Sequence, residues 1–109
     1  MANTFKLKTK ANVGVTTVGI YTAPAATTTV VIGITMAITS GSGVNVGVGI
    51  TRAGTTEDVK LLKNAPIPQG SSLEFMAGNK IVLEATDTVT VDSDTNNSVD
   101  AALTIMEIT

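Results

Sequence analysis

The fold of this chain is decided by residues 27–51, TTTVVIGITMAITSGSGVNVGVGIT. From Ile32 to Ile38, isoleucine or methionine fills every second position, and small or polar residues lie between them. After the flexible segment 40–43, Val or Ile again fills every second position from Val44 to Ile50. A period of two is typical of strands that bury one face. We therefore predict two antiparallel neighbouring strands that are joined by a hairpin turn at 40–43.

The composition favours β-structure along the whole chain. Thr, Val and Ile supply 41 of the 109 residues, and such β-branched side chains are stiff at χ1 and pack well on a pleated sheet. Hydrophobic residues make up 43% of the chain and aromatic residues only 3%, so an ordered, aliphatic core is expected. We predict a single all-β domain over residues 1–109. It is expected to be an antiparallel β-sandwich of about eight short strands, either jelly-roll or immunoglobulin-like.

Turn signals divide the rest of the chain into further short strands. The apolar phase slips at Thr16–Thr17, which predicts a bulge or a break in the chain there. Turns are expected at 53–55 and 78–79, and the proline-containing segment 66–70 is expected to end a strand. Residues 1–12 are predicted to form an N-terminal arm or an edge strand.

Three lysines alternate along this N-terminal segment. Lys6, Lys8 and Lys10 share one face of a strand, and Phe5 and Leu7 lie on the opposite face. Lysine is common on edge strands because its charge opposes pairing with another chain. The lysine face is therefore either a solvated, guarded edge or a contact for an acidic partner surface. We predict Lys6, Lys8 and Lys10 as partner-binding residues.

The strand at 27–39 has a second face that is rich in threonine. In the alternation, Thr29, Thr35 and Thr39 lie opposite the apolar face. Two packed sheets bury one face of each strand and leave the other face for solvent or a partner. Thr29 and Thr35 are therefore predicted to be exposed and to bind a partner, and the protein is expected to form a homo-oligomer.

Side chains that usually carry out catalysis are scarce. The chain has no His and no Cys, which excludes His-based catalytic triads and disulfides. Glu84 and Asp87 flank a predicted turn, but nothing in the sequence marks a pocket that would raise the pKa of either carboxyl group. We predict no catalytic residue, no cofactor and no enzymatic activity.

The segment that begins at Asp92 resembles the opening of a calcium loop. Asp92, Asp94 and Asn96 place oxygen ligands at alternate positions, which suits a hard cation. Position six of such a loop is Asn97 instead of Gly, and position twelve is Leu103 instead of Glu. A solvated polar turn is the alternative. We predict no metal site and leave open whether the first three residues bind a cation.

The charge balance and the hydropathy pattern exclude two classes of partner. Seven basic residues, a net charge of −2 and a pI of about 4.8 leave too little positive charge to neutralise several phosphates, so nucleic-acid binding is not expected. No apolar run approaches the length of a membrane span, and the N-terminus lacks the apolar stretch of a secretory signal. We expect the protein to be made in a cytoplasm and to bind no membrane.

A glycan-binding module is an open alternative, since many such modules are β-sandwiches. Sugar sites commonly stack an aromatic ring on the sugar. The chain has no Trp and one Tyr, so Tyr21 would have to carry that role. Otherwise Tyr21 is expected to be half-buried at the end of a sheet, with its hydroxyl group in water.

Six segments resemble a family of small bacteriophage structural proteins, common among phages of cyanobacteria and other marine bacteria. The resembling segments are 21–24 YTAP, 29–34 TVVIGI, 59–68 VKLLKNAPIP, 70–74 GSSLE, 80–87 KIVLEATD and 98–101 SVDA. They are spread over the chain from Tyr21 to Ala101. The family pattern favours Gly before Asp87, where this chain has Thr86.

This resemblance implies a virion component with a β-sandwich fold and no catalytic residues. The resemblance does not fix the place of the protein in the virion. One option is a decoration or cement protein on the outer surface of the capsid, in contact with the major capsid protein or other virion proteins. A neck, tail or fibre accessory protein is the alternative. The single small domain, without a long fibrous or coiled-coil segment, favours decoration of the capsid.

Overall fold

The computed structural model describes residues 3–52, 57–75 and 80–109, which form β-strands and their connections. The strands are Asn3–Val13 (β1), Val18–Thr22 (β2), Thr28–Ile38 (β3), Val44–Arg52 (β4), Glu57–Ile67 (β5), Ser72–Phe75 (β6), Ile81–Leu83 (β7), Thr88–Ser93 (β8) and Val99–Ile108 (β9). In these ranges no helix is long and apolar enough to cross a membrane.

The strands form two antiparallel sheets. Sheet 1 has the order β1-β9-β3, and β6 and β7 then pair one after the other along the same edge of β3. Sheet 2 has the order β2-β8-β4-β5. Each sheet is four strands wide, and the predicted β-sandwich of about eight strands is confirmed.

The connectivity decides between the two predicted topologies. The successive strands β1, β2, β3 and β4 alternate between sheet 1 and sheet 2, whereas an immunoglobulin sandwich places its first two strands in one sheet. In addition, β9 lies between β1 and β3, and β8 lies between β2 and β4. This interleaving of late strands between early strands is the arrangement of a jelly roll.

The core between the two sheets is aliphatic, as the composition predicts. Alternate residues of β4, β8 and β9 are buried, namely Val44, Val46, Val48, Ile50, Val89, Val91, Val99, Ala101, Leu103 and Ile105. Ile34 and Met36 of β3 and Leu83 of β7 also belong to this core. Full burial of such a side chain contributes about 1.5–3 kcal/mol, so the core is the main source of stability.

The predicted hairpin between β3 and β4 is wrong. β3 lies in sheet 1 and β4 lies in sheet 2, so residues 39–43 cross from one sheet to the other. Facing sheets are about 10 Å apart, a distance that five residues span easily. The alternation determines which side chains point inward, but it does not determine which strands pair.

A β-bulge in β3 changes the predicted facing of its first residues. The register against β9 shifts between Val31 and Gly33, so Ile32 is an extra residue at that point. After the bulge, Ile34 faces the core as predicted, whereas before the bulge Thr29 and Val31 face the core. The predicted exposure of Thr29 is therefore wrong, because its side chain is fully buried.

β5 is longer than the sequence pattern predicts. It continues through Pro66, which lies opposite Asn45 of β4, and it ends at Ile67. Proline is tolerated here because β5 is at the edge of sheet 2 and one side of its backbone is not needed for pairing with β4.

Three further predictions concern the break at Thr16–Thr17 and two turns. The break at Thr16–Thr17 is confirmed, because β1 ends before these residues and β2 begins after them. The turns predicted at 53–55 and 78–79 lie outside the described residues.

Candidate assembly surface

β1 is the edge strand of sheet 1. It pairs with β9 from Asn3, opposite Ile108, to Lys10, opposite Ala101, and within the described ranges no strand pairs with its other side. Of its eleven residues, Val13 alone is buried. The N-terminal segment therefore presents backbone N–H and C=O groups along an exposed edge, where another chain can pair with them.

The register places the three predicted lysines on the core-facing side of this edge strand. Lys6, Lys8 and Lys10 lie opposite three buried residues of β9, and directly opposite residues of an antiparallel pair share a face. Phe5 and Leu7 point the other way, to the outer face of sheet 1, where they are 69% and 64% exposed. Inward-pointing charges on an edge strand oppose pairing with a second edge.

Lys6 joins a polar cluster that lies between the sheets. Its ammonium group is 3.0 Å from Glu107 Oε1, and the Tyr21 hydroxyl donates a 2.6 Å hydrogen bond to Glu107 Oε2. The same hydroxyl oxygen is 2.8 Å from Thr29 Oγ1. Because the single Tyr21 proton goes to Glu107, Thr29 is the donor to Tyr21. Thr29 is thus an internal hydrogen-bond donor without exposed surface for a partner.

The polar cluster shifts the pKa of both of its acids. The hydrogen bond from Tyr21, and after it the hydrogen bond from Lys6, lowers the pKa of Glu107. Burial, and after it the hydrogen bond to Glu107, raises the pKa of Tyr21 to about 12. The expectation that the Tyr21 hydroxyl lies in water is wrong, and the buried ring offers no face on which a sugar could stack.

Large apolar side chains cross the outer face of sheet 1 in a row. Phe5, Met106, Val30 and Val82 lie directly opposite one another on β1, β9, β3 and β7. Val82 is 59% exposed, and Met106 and Val30 are half-buried. We call this row, together with the neighbouring Leu7, the apolar ridge. Contiguous exposed apolar surface of this kind marks interaction sites, unlike single scattered residues.

Beyond the apolar ridge, the same outer face has small side chains. They surround a shallow hollow of about 320 Å³. It is lined by Thr9, Ala11, Thr35, Ala37, Ala101 and Ala102, together with Lys10 and Asp100. The predicted partner-binding residue Thr35 is half-buried in this small-residue hollow, opposite Ala102. Thr35 therefore lies on the outer face, as predicted, at a position that a partner can reach.

The outer face of sheet 2 is polar. The hydroxyl groups of Thr22 and Thr88 lie 2.9 Å apart, and Thr51 donates a 2.9 Å hydrogen bond to Asp58. Lys60 of β5 is exposed. The two outer faces of the sandwich therefore differ in character, one apolar and the other hydrogen-bonded and charged.

The Asp92–Asn96 segment uses its oxygen atoms within the protein. Asp94 Oδ1 accepts a 3.2 Å hydrogen bond from the N–H of Asn45, and Asn96 Oδ1 accepts a 3.3 Å bond from the N–H of Val15. Asp92 accepts a bond from a threonine hydroxyl. Among the described residues, no group of three or more His, Cys, Asp or Glu side chains is arranged to hold a metal ion.

The carboxylates that were considered for acid–base chemistry pair with the one arginine. Arg52 donates a 2.6 Å hydrogen bond to Glu84 and a 3.1 Å bond to Asp87. Asp87 also accepts a 3.0 Å bond from the N–H of Glu84. This cluster fixes the turn between β7 and β8 to the end of β4, which is a structural role.

Comparisons with known proteins identify the fold of the chain. No protein-family model and no curated protein matches it. Among solved structures it is similar to a protein of the disulfide-linked pili of Bacillus endospore appendages, with a TM-score of 0.57 and 16% identity over 99% of this chain and 87% of that chain. It is also similar to a chain of the cyanophage Pam1 capsid asymmetric unit, with a TM-score of 0.56 and 16% identity over 95% and 85% of the two chains.

A third similar structure comes from infectious bursal disease virus. A chain of the infectious bursal disease virus Gx strain matches with a TM-score of 0.56 and 12% identity over 95% of this chain, which spans 32% of that longer chain. Since all three identities are low, these similarities establish a shared β-sandwich fold and carry no information about individual site residues.

Proposed function

We propose that this chain is a structural protein of a bacteriophage particle and that it decorates the outer surface of the capsid. The fold is shared with a chain of a cyanophage capsid and with a subunit of bacterial pili, which are both parts of large assemblies. The sequence segments that resemble small phage structural proteins support the same role. The observation that carries the proposal is β1, an exposed edge strand with three lysines along one face.

In this proposal β1 makes the contact with the major capsid protein. Lys8 and Lys10 meet an acidic surface, where electrostatic attraction speeds the encounter and fixes the register. Lys6 lies beside them and is 43% exposed, although it also pairs with Glu107. An extended acidic segment of the capsid protein can also pair with the free backbone edge of β1, as in β-strand addition, because its carboxylates would lie opposite the lysines that oppose other edges. Neither contact needs a catalytic residue or a cofactor, and the proposed role is non-enzymatic.

The copy number of the protein in purified particles tests its place. Quantitative mass spectrometry compares it with the number of copies of the major capsid protein. A copy number close to that of the capsid protein is expected for decoration. A small fixed number would instead place the protein in the neck, tail or a fibre, and complete absence from particles would overturn the virion role.

Charge reversal on β1 tests the contact itself. Lys6 is left unchanged because it pairs with Glu107, and the variant carries Lys8→Glu and Lys10→Glu. We expect it to stay folded, with a slightly lower melting temperature because the charge of Lys8 also favours the Glu107 carboxylate, and to bind capsids that lack the protein at least about tenfold more weakly in cosedimentation. The matched control carries Lys63→Glu and Lys80→Glu, two exposed lysines away from β1, with the same change in net charge. Equal binding of the two variants would remove β1 from the proposed contact.

A further inference from the structure

We propose that two copies of this chain pair face to face through the outer face of sheet 1. This face carries the apolar ridge at one end of the strands and the small-residue hollow at the other. The inference concerns the contact between two copies, and it can fail or succeed independently of the place of the protein in a virion.

The two halves of the face are complementary in shape. On β9, Met106 of the apolar ridge and Ala102 of the small-residue hollow lie two residues on either side of Thr104, and all three point outward. A two-fold axis between the faces, running across the strands at Thr104, therefore places each ridge over the hollow of the other copy. A single patch that carries both shapes is what a symmetric two-fold contact requires.

The size of the face matches that of a stable dimer. Ten residues on each of β1, β9 and β3, and the seven residues of β6 and β7, at about 3.4 Å along and about 4.8 Å across the strands, give a flat area of about 600 Å² per copy. The two copies together would bury about 1,200 Å², the lower end of the range of about 1,200–2,000 Å² for specific interfaces. Sheets that pack face to face at about 10 Å are a standard arrangement in β-proteins.

The charges favour this face over the edge of β1 as the contact between copies. Along β1, β9 and β3, Asp100 is the one charged residue that points outward, and interface cores are depleted of charge. Edge-to-edge antiparallel pairing of two β1 strands would instead set Lys6, Lys8 and Lys10 of one copy against the same lysines of the other. Like charges directly opposite are destabilising, so the edge remains for a different partner.

Sedimentation equilibrium of the purified protein tests the pairing. We expect a dimer for the wild type and at least about tenfold weaker dimerisation for Leu7→Glu, because the charge would be buried in the contact. The control is Val15→Glu, since Val15 is also an exposed apolar residue, 55% against 64% for Leu7, but lies outside this face. A monomeric wild type, or a Leu7→Glu protein that dimerises as well as the control, would overturn the proposal.

Cross-linking tests the position of the two-fold axis. The chain has no cysteine, so Thr104→Cys introduces a single thiol. In the proposed dimer this thiol lies opposite the same thiol of the second copy, across the two-fold axis. A short bis-maleimide that reaches about 10 Å is expected to join two Thr104→Cys chains. It should leave Thr22→Cys chains, with the thiol on the outer face of sheet 2, largely unjoined. Equal cross-linking of the two variants would contradict the proposed arrangement.

Discussion

The Tyr21 hydroxyl on β2 donates a 2.6 Å hydrogen bond to the Glu107 carboxylate on β9, and this bond joins the two sheets. The second carboxylate oxygen of Glu107 binds Lys6 of the edge strand. The edge strand is therefore anchored through a buried carboxylate to a strand of the opposite sheet. The stability of the exposed β1 should depend on the hydroxyl group of a residue in the core.

Removal of the Tyr21 hydroxyl should weaken the fold. Tyr21→Phe deletes the hydrogen bond to a charged group and leaves Thr29 without its acceptor, so the free energy of unfolding should fall by about 2 kcal/mol. Urea denaturation measures this change. The control Thr22→Val removes one exposed hydroxyl group and its hydrogen bond to Thr88. It should change the free energy of unfolding by less than about 0.5 kcal/mol. Equal effects of the two substitutions would show that the buried bond contributes little.

Acid should destabilise the protein through Glu107. Its folded-state pKa lies below that of the unfolded chain, so the carboxylate adds stability above the unfolded pKa of about 4.3, and this stability is lost as the pH falls through the folded pKa. The melting temperature of the wild type should decline below about pH 4.5. Glu107→Gln should be less stable near neutral pH and should show a shallower acid decline. Parallel declines in the two proteins would contradict this assignment.

Alkali should act on the fold through Tyr21. Its pKa is raised from 10.0 to about 12, so the stability that comes from the neutral phenol is complete below pH 10 and is lost as the pH rises toward about 12. Tyr21 is the one tyrosine of a chain without tryptophan, so tyrosinate absorbance reports on this residue directly. A native titration midpoint near that of the urea-unfolded chain would contradict the buried hydrogen bond.

A charge in the core should prevent folding. Ile34→Asp would place an unpaired carboxylate at a position that is 1% exposed, and the expected loss of stability is more than about 4 kcal/mol. The control Thr28→Asp changes an exposed residue of the same strand. Circular dichroism and thermal melting should show an unfolded Ile34→Asp protein and a folded control. A folded Ile34→Asp protein with normal melting would show that this side chain does not face the core.

Two glycines on neighbouring sheets should respond differently to alanine. A Cβ atom on Gly49 would lie 2.9 Å from the carbonyl oxygen of Val59, which belongs to the backbone of the paired strand, whereas a Cβ atom on Gly33 would meet nothing within 4 Å. Gly49→Ala should therefore destabilise the fold by about 1–3 kcal/mol. Gly33→Ala should be neutral or slightly stabilising. Urea midpoints measure both, and similar midpoints would contradict the close approach of β4 and β5.

The strands that bury one face along their whole length were predictable from the sequence. In β4, β8 and β9 the alternation from Val44, Val89 and Val99 onward marks the buried residues, because a side chain on a pleated strand can point in only two directions. The pairing of these strands was not predictable. β3 and β4 are adjacent in sequence but lie in different sheets. The connection between them is long enough for either a hairpin or a crossing to the other sheet, so its length does not decide which strands pair.

The candidate site was less predictable than the core. The single extra residue Ile32 turns the side chain of Thr29 from the outer face to the core. The sequence does not reveal this bulge, because the extra residue is β-branched like its neighbours in the strand. The outward direction of Phe5 and Leu7 depends on the pairing of β1 with β9, about 100 positions further along the chain. The lysines at alternate positions of β1 were the feature of the sequence that indicated an edge strand.

The pairing of β1 with β9 also has a consequence for synthesis of the chain. β1 leaves the ribosome well before β9, the strand with which it pairs. Until β9 emerges, Phe5 and Leu7 are part of an unpaired segment that could aggregate with other nascent chains. Lysines placed between such apolar residues hinder aggregation. We therefore expect the charges of Lys6, Lys8 and Lys10 to hinder aggregation of β1 until translation has supplied β9.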